Sequence, residues 1–580
     1  MKIFKKEYIL LLILAILCIA LYFLFLGHYK LIDVDEPRYA EAASEMLKSG
    51  NWLTPYFNYE VRFDKPVFIY WLIALSYIVF GVTEFAARFP SAIMATLLVF
   101  FTYFFGRQTV SKSFGFMSAI ILASSLEFIV TARMSITDMT LSFFICATIF
   151  SGFLGAFSVK RQEEQKAEGF FEKYSDIIYW NLAYLFSGAA VLTKGPVGFI
   201  LPAGIFGICF ILTGCLKKNL RLKYIVPGSL IFLAVAVPWY YLIIKEHGMA
   251  FVNYFFLEHN LERFGGGKLG HEQPIYFYPA VIFLGTFPWM FYLISALVKH
   301  IKEIVNQVKT CKIFDISIFK DTDKNSQVIL FSLVWFFAVL LFFSMSSAKM
   351  VSYVLPLFPA CALLAGKIWD DYINNNQNEK IIRYSSWVTA GLCFLMSAGT
   401  IVTYIVLSHK TVDLDIGYNL LMIPALFFAG ALFLILFIKK QQKIKALFSL
   451  ALMMAGIIIL AVTAVMPVVY KSAQADLIEY INIAKTYNSG NNELITCGLT
   501  KPSLIFYSHR RIPFIATEDT KLLSKYLNSK KPVFIVTKKK YLEDLSKRIK
   551  YNLISPGKKY SLISNIKNSS IAAETQPKER

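Results

Sequence analysis

Thirteen apolar runs, most of them long enough to cross the ~30 Å hydrocarbon core of a bilayer, constrain this chain more than any other feature. They lie at about 8–27, 88–106, 115–132, 138–158, 178–193, 196–214, 224–244, 276–298, 327–346, 351–368, 384–407, 418–438 and 446–467. Lipid offers the backbone no water, so each run must satisfy its own N–H and C=O groups, as a helix does. Composition agrees. Of 580 residues, 56% are hydrophobic and only 17% charged, outside the range of ordinary soluble domains. The expectation is a mainly α, polytopic membrane protein.

A net charge of +21 would suit a nucleic-acid partner if the cations formed one patch. They fall instead in short clusters between apolar runs, as topology determinants do, so anionic membrane lipid is the expected partner and nucleic acid is not. The eight cysteines are scattered, mostly within the runs, with no metal-ligand or redox spacing. Lys2, Lys5 and Lys6 precede the first run, which is too long for a cleaved signal-peptide core and shows no small-x-small cleavage site. It reads as a signal anchor with its amino end in the cytoplasm of a plasma (inner) membrane protein.

One further apolar run, 67–81, is short and rich in interface-seeking aromatics. If it does not cross, then Arg107 and Lys112, Lys160 and Arg161, the 217–223 cluster, the 299–324 loop and Lys439 to Lys445 all share the side of the N-terminal lysines. If it crosses, every one of them lies on the wrong side. The run is therefore expected to be interfacial or re-entrant. The same parity puts 28–87, 133–137, 194–195, 245–275, 347–350, 408–417 and everything after 468 outside. Composition changes near the last boundary, giving a transmembrane domain over 1–468 and a soluble α/β domain over 469–580. Its strand-like pieces are Glu493–Cys497, Ser503–Tyr507 and Pro532–Thr537.

The polar residues worth chemistry gather in those outer loops. Residues 28–66 carry Asp35-Glu36-Pro37-Arg38-Tyr39 and Asp64-Lys65-Pro66 directly after the first span. Charge at a membrane surface beside a helical bundle marks a functional site by default. Each motif has a plainer reading. Asp35-Glu36-Pro37 suits a helix N-terminus, with Gly50 as its stop, and Asp64-Lys65-Pro66 suits a turn with a snorkelling lysine. Glu258-His259-Asn260 with Arg263 precedes Gly265-Gly266-Gly267, a pattern for a backbone closing over an anion. Lys349 and Tyr353 stand four residues apart, which on a helix puts a cation and a phenol on one face.

These residues resemble those of the bacterial aminoarabinose transferases, relatives of the protein O-mannosyltransferases with the GT-C fold. The resemblance rests on Asp35-Glu36-Pro37-Arg38-Tyr39-Ala40-Glu41, Asp64-Lys65-Pro66, Arg88-Phe89-Pro90, Leu192-Thr193-Lys194-Gly195, Glu258-His259-Asn260 with Arg263-Phe264, and Lys349 to Pro356. They occur in order across roughly residues 8–370. It implies about thirteen transmembrane helices, interfacial helices in the first outer loop and an outer C-terminal domain. It also implies a polyprenyl-phosphate sugar donor and a lipid or glycan acceptor, with aminoarabinose transfer to lipid A as one family activity. By the same resemblance Asp35 and Asp138 are the catalytic carboxylates. Glu36, Arg38, Tyr39, Asp64, Lys65, His259, Arg263, Lys349 and Tyr353 are the substrate-binding residues. No cofactor is required, although some members hold a divalent ion, for which Asp64, a Glu in most of the family, and His259 would be ligands.

A glycosyl phosphate already has a good leaving group, so such an enzyme must gather charge around the departing phosphate and orient the acceptor. Lys65, Arg263, Lys349 and the Tyr353 hydroxyl fit the first task, and Asp35 the second, as base or electrostatic stabiliser. Two other readings remain open at this stage. A protein O-glycosyltransferase would use the same residues, and a lipid or sugar transporter would also place polar groups in a helical bundle, although the matched halves of such folds are not evident here.

Overall fold

The computed structural model describes residues 6–164, 174–262, 273–310, 324–410, 421–487 and 491–567. Its contacts divide the chain into two compact units. One comprises residues 1–26, 63–72 and 88–461, the other residues 27–62, 73–87 and 462–580. The C-terminal region thus shares a unit with most of the first polar loop.

In the larger unit every described apolar run is helical. Among the described residues of the whole chain, eight helices are long and apolar enough to cross a membrane unbroken. The runs at 115–132 and 276–298, read above as single spans, are bent pairs instead. Lys112–Ala123 meets Leu126–Ala132 at 67°, and Phe277–Gly285 meets Met290–Gln307 at 116°. Local chemistry accounts for both breaks. The Ser124 and Ser125 hydroxyls bond back to the Ile120 and Ile121 carbonyls, competing with the next turn, and Pro288 has no N–H to continue the second helix. The breaks then satisfy each other. Leu126 N–H donates to Phe287 O at 3.1 Å and Trp289 Nε1–H to Ser124 Oγ at 3.0 Å. Of the remaining runs, Glu7–Phe23 and Val197–Leu212 are shorter apolar helices, and Ser175–Lys194 has 20 residues.

The first span ends on two buried arginines. Its helix loosens beyond Cys18 and stops at Phe23. The Arg133 guanidinium donates to the carbonyls of Leu21 (2.9 Å) and Leu24 (2.8 Å), and Arg88 to that of Leu26 (3.0 Å). Both arginines are almost wholly buried. Two Arg133 donors and one Arg88 donor thus go to backbone released by the unwinding helix. The short run between the spans forms the helix Phe68–Phe80, of 13 residues. At 1.5 Å per residue it is about 20 Å long, short of the hydrocarbon thickness.

The smaller unit contains the helix Asp35–Ser49, stopped by Gly50 at φ +68°, where the left-handed backbone favours glycine. The strands β1 (Tyr56–Phe57) and β2 (Glu60–Val61) form a short hairpin. The C-terminal region adds β3 (Glu493–Cys497), β4 (Phe514–Ile515), β5 (Val533–Lys538), β6 (Asn552–Pro556) and β7 (Tyr560–Ser564), in the order β4-β3-β5-β7-β6. The first three are parallel, and β7 and β6 complete the sheet antiparallel. Apolar clusters fill both faces, giving the α/β domain expected. Ser503–Tyr507, however, is not a strand but the core of the helix Pro502–Ser508. Five apolar-leaning residues carry no decisive period, and Pro502 in the first turn starts a helix well.

Close helix contacts in the larger unit leave some glycines no room to grow. A Cβ on Gly115 would lie 2.3 Å from the Tyr103 carbonyl oxygen. The substitution Gly115→Val should force the Glu84–Thr109 and Lys112–Ala123 helices apart, costing about 1–3 kcal/mol as overpacking does. Thermal unfolding of the purified protein in detergent should show a lowered midpoint, whereas the same substitution at open Gly204 should leave it unchanged.

Candidate active site

In the smaller unit Asp35 opens its helix as the first helical residue. Val34 holds the N-cap position and makes no side-chain capping bond, so the plain capping reading of Asp35 does not describe it. Its neighbour has the structural duty. Glu36 is buried, and its Oε2 accepts the Ile32 N–H at 2.9 Å. Arg38 is half-buried. Tyr39 is buried with the Arg62 guanidinium 5.6 Å from its ring centroid, within cation–π range.

Further along the same helix are two acids that sequence reasoning left without a role. Glu45 accepts the backbone N–H groups of Asn58 (2.7 Å) and Tyr59 (3.0 Å), pinning the hairpin. Burial pushes its carboxyl above the usual range, with those two amides opposing. Glu41 is only 2% exposed. Burial raises its pKa to about 8, opposed by Lys48, whose Nζ is 3.6 Å away, and helped by Glu45.

In the larger unit Asp64 and Lys65 form the half-buried turn before the Phe68–Phe80 helix. Asp64 Oδ1 accepts the Tyr254 hydroxyl at 2.7 Å, and Phe63 packs edge-on against Phe251 and His247. Asp138 is not a solitary carboxylate. It lies in the first turn of the Thr137–Glu164 helix and pairs with Lys194, the last residue of the Ser175–Lys194 helix, at 2.5 Å. Lys194 Nζ also stands 4.2 Å from the Tyr353 ring centroid. An acid at one helix start and a base at another helix end each complement their own helix dipole. Side-chain exposures of 13% and 10% make this a largely buried pair, in which removing either partner would strand a charge.

Lys194 is the functional candidate that sequence reasoning passed over. Its signal was the Leu192-Thr193-Lys194-Gly195 motif, which reads equally as an ordinary basic helix end. Conversely, the expectation that Lys349 and Tyr353 share one helical face fails. Met350 is extended (φ −125°, ψ 149°), and a 3₁₀ helix begins only at Val351, so Lys349 lies outside the helix and the i,i+4 geometry does not arise. The Lys194 ammonium faces the phenol ring. Arg263 and the His259 side chain lie outside the described residues. Among the described residues no three His, Cys, Asp or Glu side chains are grouped to hold a metal.

With this geometry in place, relatives can be compared. The family model for dolichyl-phosphate-mannose-protein mannosyltransferase matches residues 8–255. An uncharacterised protein of Aquifex aeolicus is 27% identical over 537 residues, covering 92% of this chain and 91% of its own. A second from the same organism is 31% identical over 338 residues, 58% of this chain and 68% of its own. The undecaprenyl phosphate-α-4-amino-4-deoxy-L-arabinose arabinosyl transferase of Shewanella sediminis is 28% identical over 401 residues, which is 69% of this chain and 66% of that enzyme. The chain belongs to the aminoarabinose transferase and protein mannosyltransferase family. It is a membrane glycosyltransferase, and the transporter reading gives way. The crystal structure of ArnT from Cupriavidus metallidurans bound to undecaprenyl phosphate superposes with a TM-score of 0.75 at 18% identity, covering 98% of this chain and 99% of that one. This is the GT-C architecture expected of the family.

Glu41 sets a pH dependence in this glycosyltransferase. Its folded carboxyl, near 8, lies above the ordinary glutamate value of about 4.3, so the folded state holds the proton more tightly. Stability from this group is complete below the lower value and is lost as pH rises through the upper one. The melting temperature of the wild type should therefore fall between about pH 4.5 and pH 8 relative to Glu41→Gln, which should flatten that part of the profile. Equal slopes for the two proteins would show that burial of Glu41 does not govern this pH range.

Proposed function

We propose that this protein transfers a sugar from an undecaprenyl-phosphate-type donor to a lipid acceptor at the outer face of the inner membrane, with aminoarabinose and lipid A as the first pair to test. The observation that carries the reading is the buried Asp138–Lys194 pair against Tyr353, in a chain whose named relatives transfer aminoarabinose from that carrier. A second reading, transfer to a protein hydroxyl, draws on the mannosyltransferase match over residues 8–255.

In the proposed reaction the bond from the sugar's anomeric carbon to the phosphate oxygen breaks as a bond to the acceptor oxygen forms. The departing polyprenyl phosphate gains charge, and cations preorganised around it lower the barrier. Lys65, Arg263 and Lys349 are the proposed cations, with Tyr353 as hydroxyl donor. Lys194 orients the Tyr353 ring, and Asp138 balances Lys194. This assignment changes Asp138 from a catalytic carboxylate to a positioning group. Asp35 is the proposed base for a hydroxyl acceptor, taking its proton. Toward a phosphate acceptor, already ionised, it would act as an electrostatic stabiliser of the cationic sugar centre. Arg38 and Tyr39 are assigned to the substrate, whereas the Glu36 bond to Ile32 argues for a backbone role. Asp64 would hold Tyr254 at the donor side. The divalent ion implied by some relatives would draw on Asp64 and His259, and the steps above use only the chain's own groups. Anionic lipids are the proposed partners of the Lys439 to Lys445 cluster.

The positive clusters support a cytoplasmic amino end and an outer C-terminal domain. Alkaline phosphatase fused after residue 470 should accordingly be active, and activity only of a cytoplasmic reporter at that point would reverse the assignment. For the chemistry, Lys65→Ala and Arg263→Ala should insert and fold normally yet lose on the order of 10²–10³ in transfer rate. A surface ion pair would contribute only ~0–1 kcal/mol. Mass spectrometry of lipid A and of envelope proteins, after incubation with each polyprenyl-phosphate sugar, separates the two acceptor readings.

A further inference from the structure

The residues leading into Asp35 have no regular structure of their own. Residues 30–32 are neither helix nor strand, 33 and 34 form a turn, and the helix begins at Asp35. Their path is set by side chains that bond them. Three successive backbone N–H groups each have such a partner. Leu31 donates to the Tyr507 hydroxyl at 2.8 Å, Ile32 to Glu36, and Asp33 to Gln474 Oε1 at 3.4 Å. Two of these three partners come from the C-terminal region, more than 400 residues away in sequence.

The Asp33 side chain is held more firmly still. Its carboxylate is almost fully buried. It accepts the Ser503 N–H at 2.9 Å, the Ser503 hydroxyl at 2.7 Å and Gln474 Nε2–H at 3.2 Å, with Lys501 Nζ at 3.8 Å. Ser503 and Tyr507 are four residues apart on the Pro502–Ser508 helix, so they share a face about 6 Å apart along the axis. Asp33 and Leu31 are two residues apart in a non-helical segment, where same-side groups repeat at roughly 6.5 Å. The two spacings match closely enough for one helix face to grip both residues. A buried carboxylate with four donors around it is costly to remove from its partners, so the grip is strong where the segment itself is weak.

We propose that Ser503 and Tyr507 are positioning residues for the transfer reaction. Through Asp33 and Leu31 they fix the segment that presents Asp35, which makes the C-terminal domain part of the catalytic apparatus rather than an appended module. This inference rests on the glycosyl-transfer reading and on the role given there to Asp35.

The test uses the full-length protein in detergent with Ser503→Ala, Tyr507→Phe, the double variant, Ser503→Thr and Asp33→Asn. Hydrogen exchange of a peptide covering residues 30–36 reports the grip without substrate, and β5 reports the integrity of the C-terminal sheet. Transfer kinetics report the consequence. In the double variant, exchange over 30–36 should accelerate at least about tenfold while β5 stays protected. The kcat should fall about 10- to 100-fold with donor KM within about twofold, as misplacement of a catalytic group does. Ser503→Thr, which keeps the hydroxyl and the N–H, should restore both readouts. Asp33→Asn, which leaves the C-terminal residues intact, should reproduce the loss of kcat even if the double variant fails to fold. Unchanged exchange over 30–36, or accelerated exchange with wild-type kcat, would overturn the proposal. A wild-type protein that transfers no polyprenyl-phosphate sugar would overturn the functional reading instead, and the grip would then be decided by exchange alone.

Discussion

Backbone groups freed inside a membrane have to be satisfied by protein, and the way this chain meets that requirement shapes the rest of it. The first span loosens after Cys18, and its carbonyls at Leu21, Leu24 and Leu26 would be left without donors. Arg133 and Arg88 supply them. Because five fixed donors in a planar fork suit several carbonyls at once, arginine is the residue for this duty. The two interrupted spans solve the same problem differently, by bonding one break to the other through Leu126, Phe287, Ser124 and Trp289. Polar residues at such depth are therefore not all site residues, and separating the two kinds requires their partners.

Buried charge follows a similar economy. The helix Ser175–Lys194 carries an ion pair at each end, Asp176 with Lys223 and Tyr224 at its start and Lys194 with Asp138 at its finish. Each charge suits the dipole of the helix end it occupies, and each partner offsets part of the other's desolvation. Each pair also has an aromatic third member, with Lys223 Nζ 4.5 Å from the Tyr224 ring centroid and Lys194 Nζ 4.2 Å from that of Tyr353, which comes from a different helix. Lys367, Asp371 and Lys299 form another largely buried charge cluster, joined by Glu303 and Asn375.

The smaller unit raises the matter of what a C-terminal domain does for a membrane enzyme. Its sheet carries an apolar layer on each face, one of them extended by Phe57 of the β1–β2 hairpin. Asn58 exchanges two hydrogen bonds with the Ile512 backbone, and Ser503, Tyr507 and Gln474 hold residues 31–33. The segment leading into Asp35 is short of regular structure, so these bonds substitute for the hydrogen-bonded ladder it lacks.

Hydrophobic run length determined the membrane class and the positions of the apolar helices, and the strand-like pieces at 493–497 and 532–537 the α/β character of the C-terminus. Those are one-dimensional quantities, the first set by bilayer thickness. The order of the motifs likewise carried the family. Sequence could not decide what each polar residue touches. Asp35 looked like a cap and is not one. Lys349 and Tyr353 looked like a helical pair, but the helix starts two residues later. Arg133 closes the end of a helix, while Lys194 looked like a helix end and pairs with Asp138 beside Tyr353. Only the tertiary structure settles such questions, because an ion pair or a buried hydrogen bond between residues tens or hundreds of positions apart leaves no periodicity in the chain, and its energy depends on distance and burial that folding alone supplies.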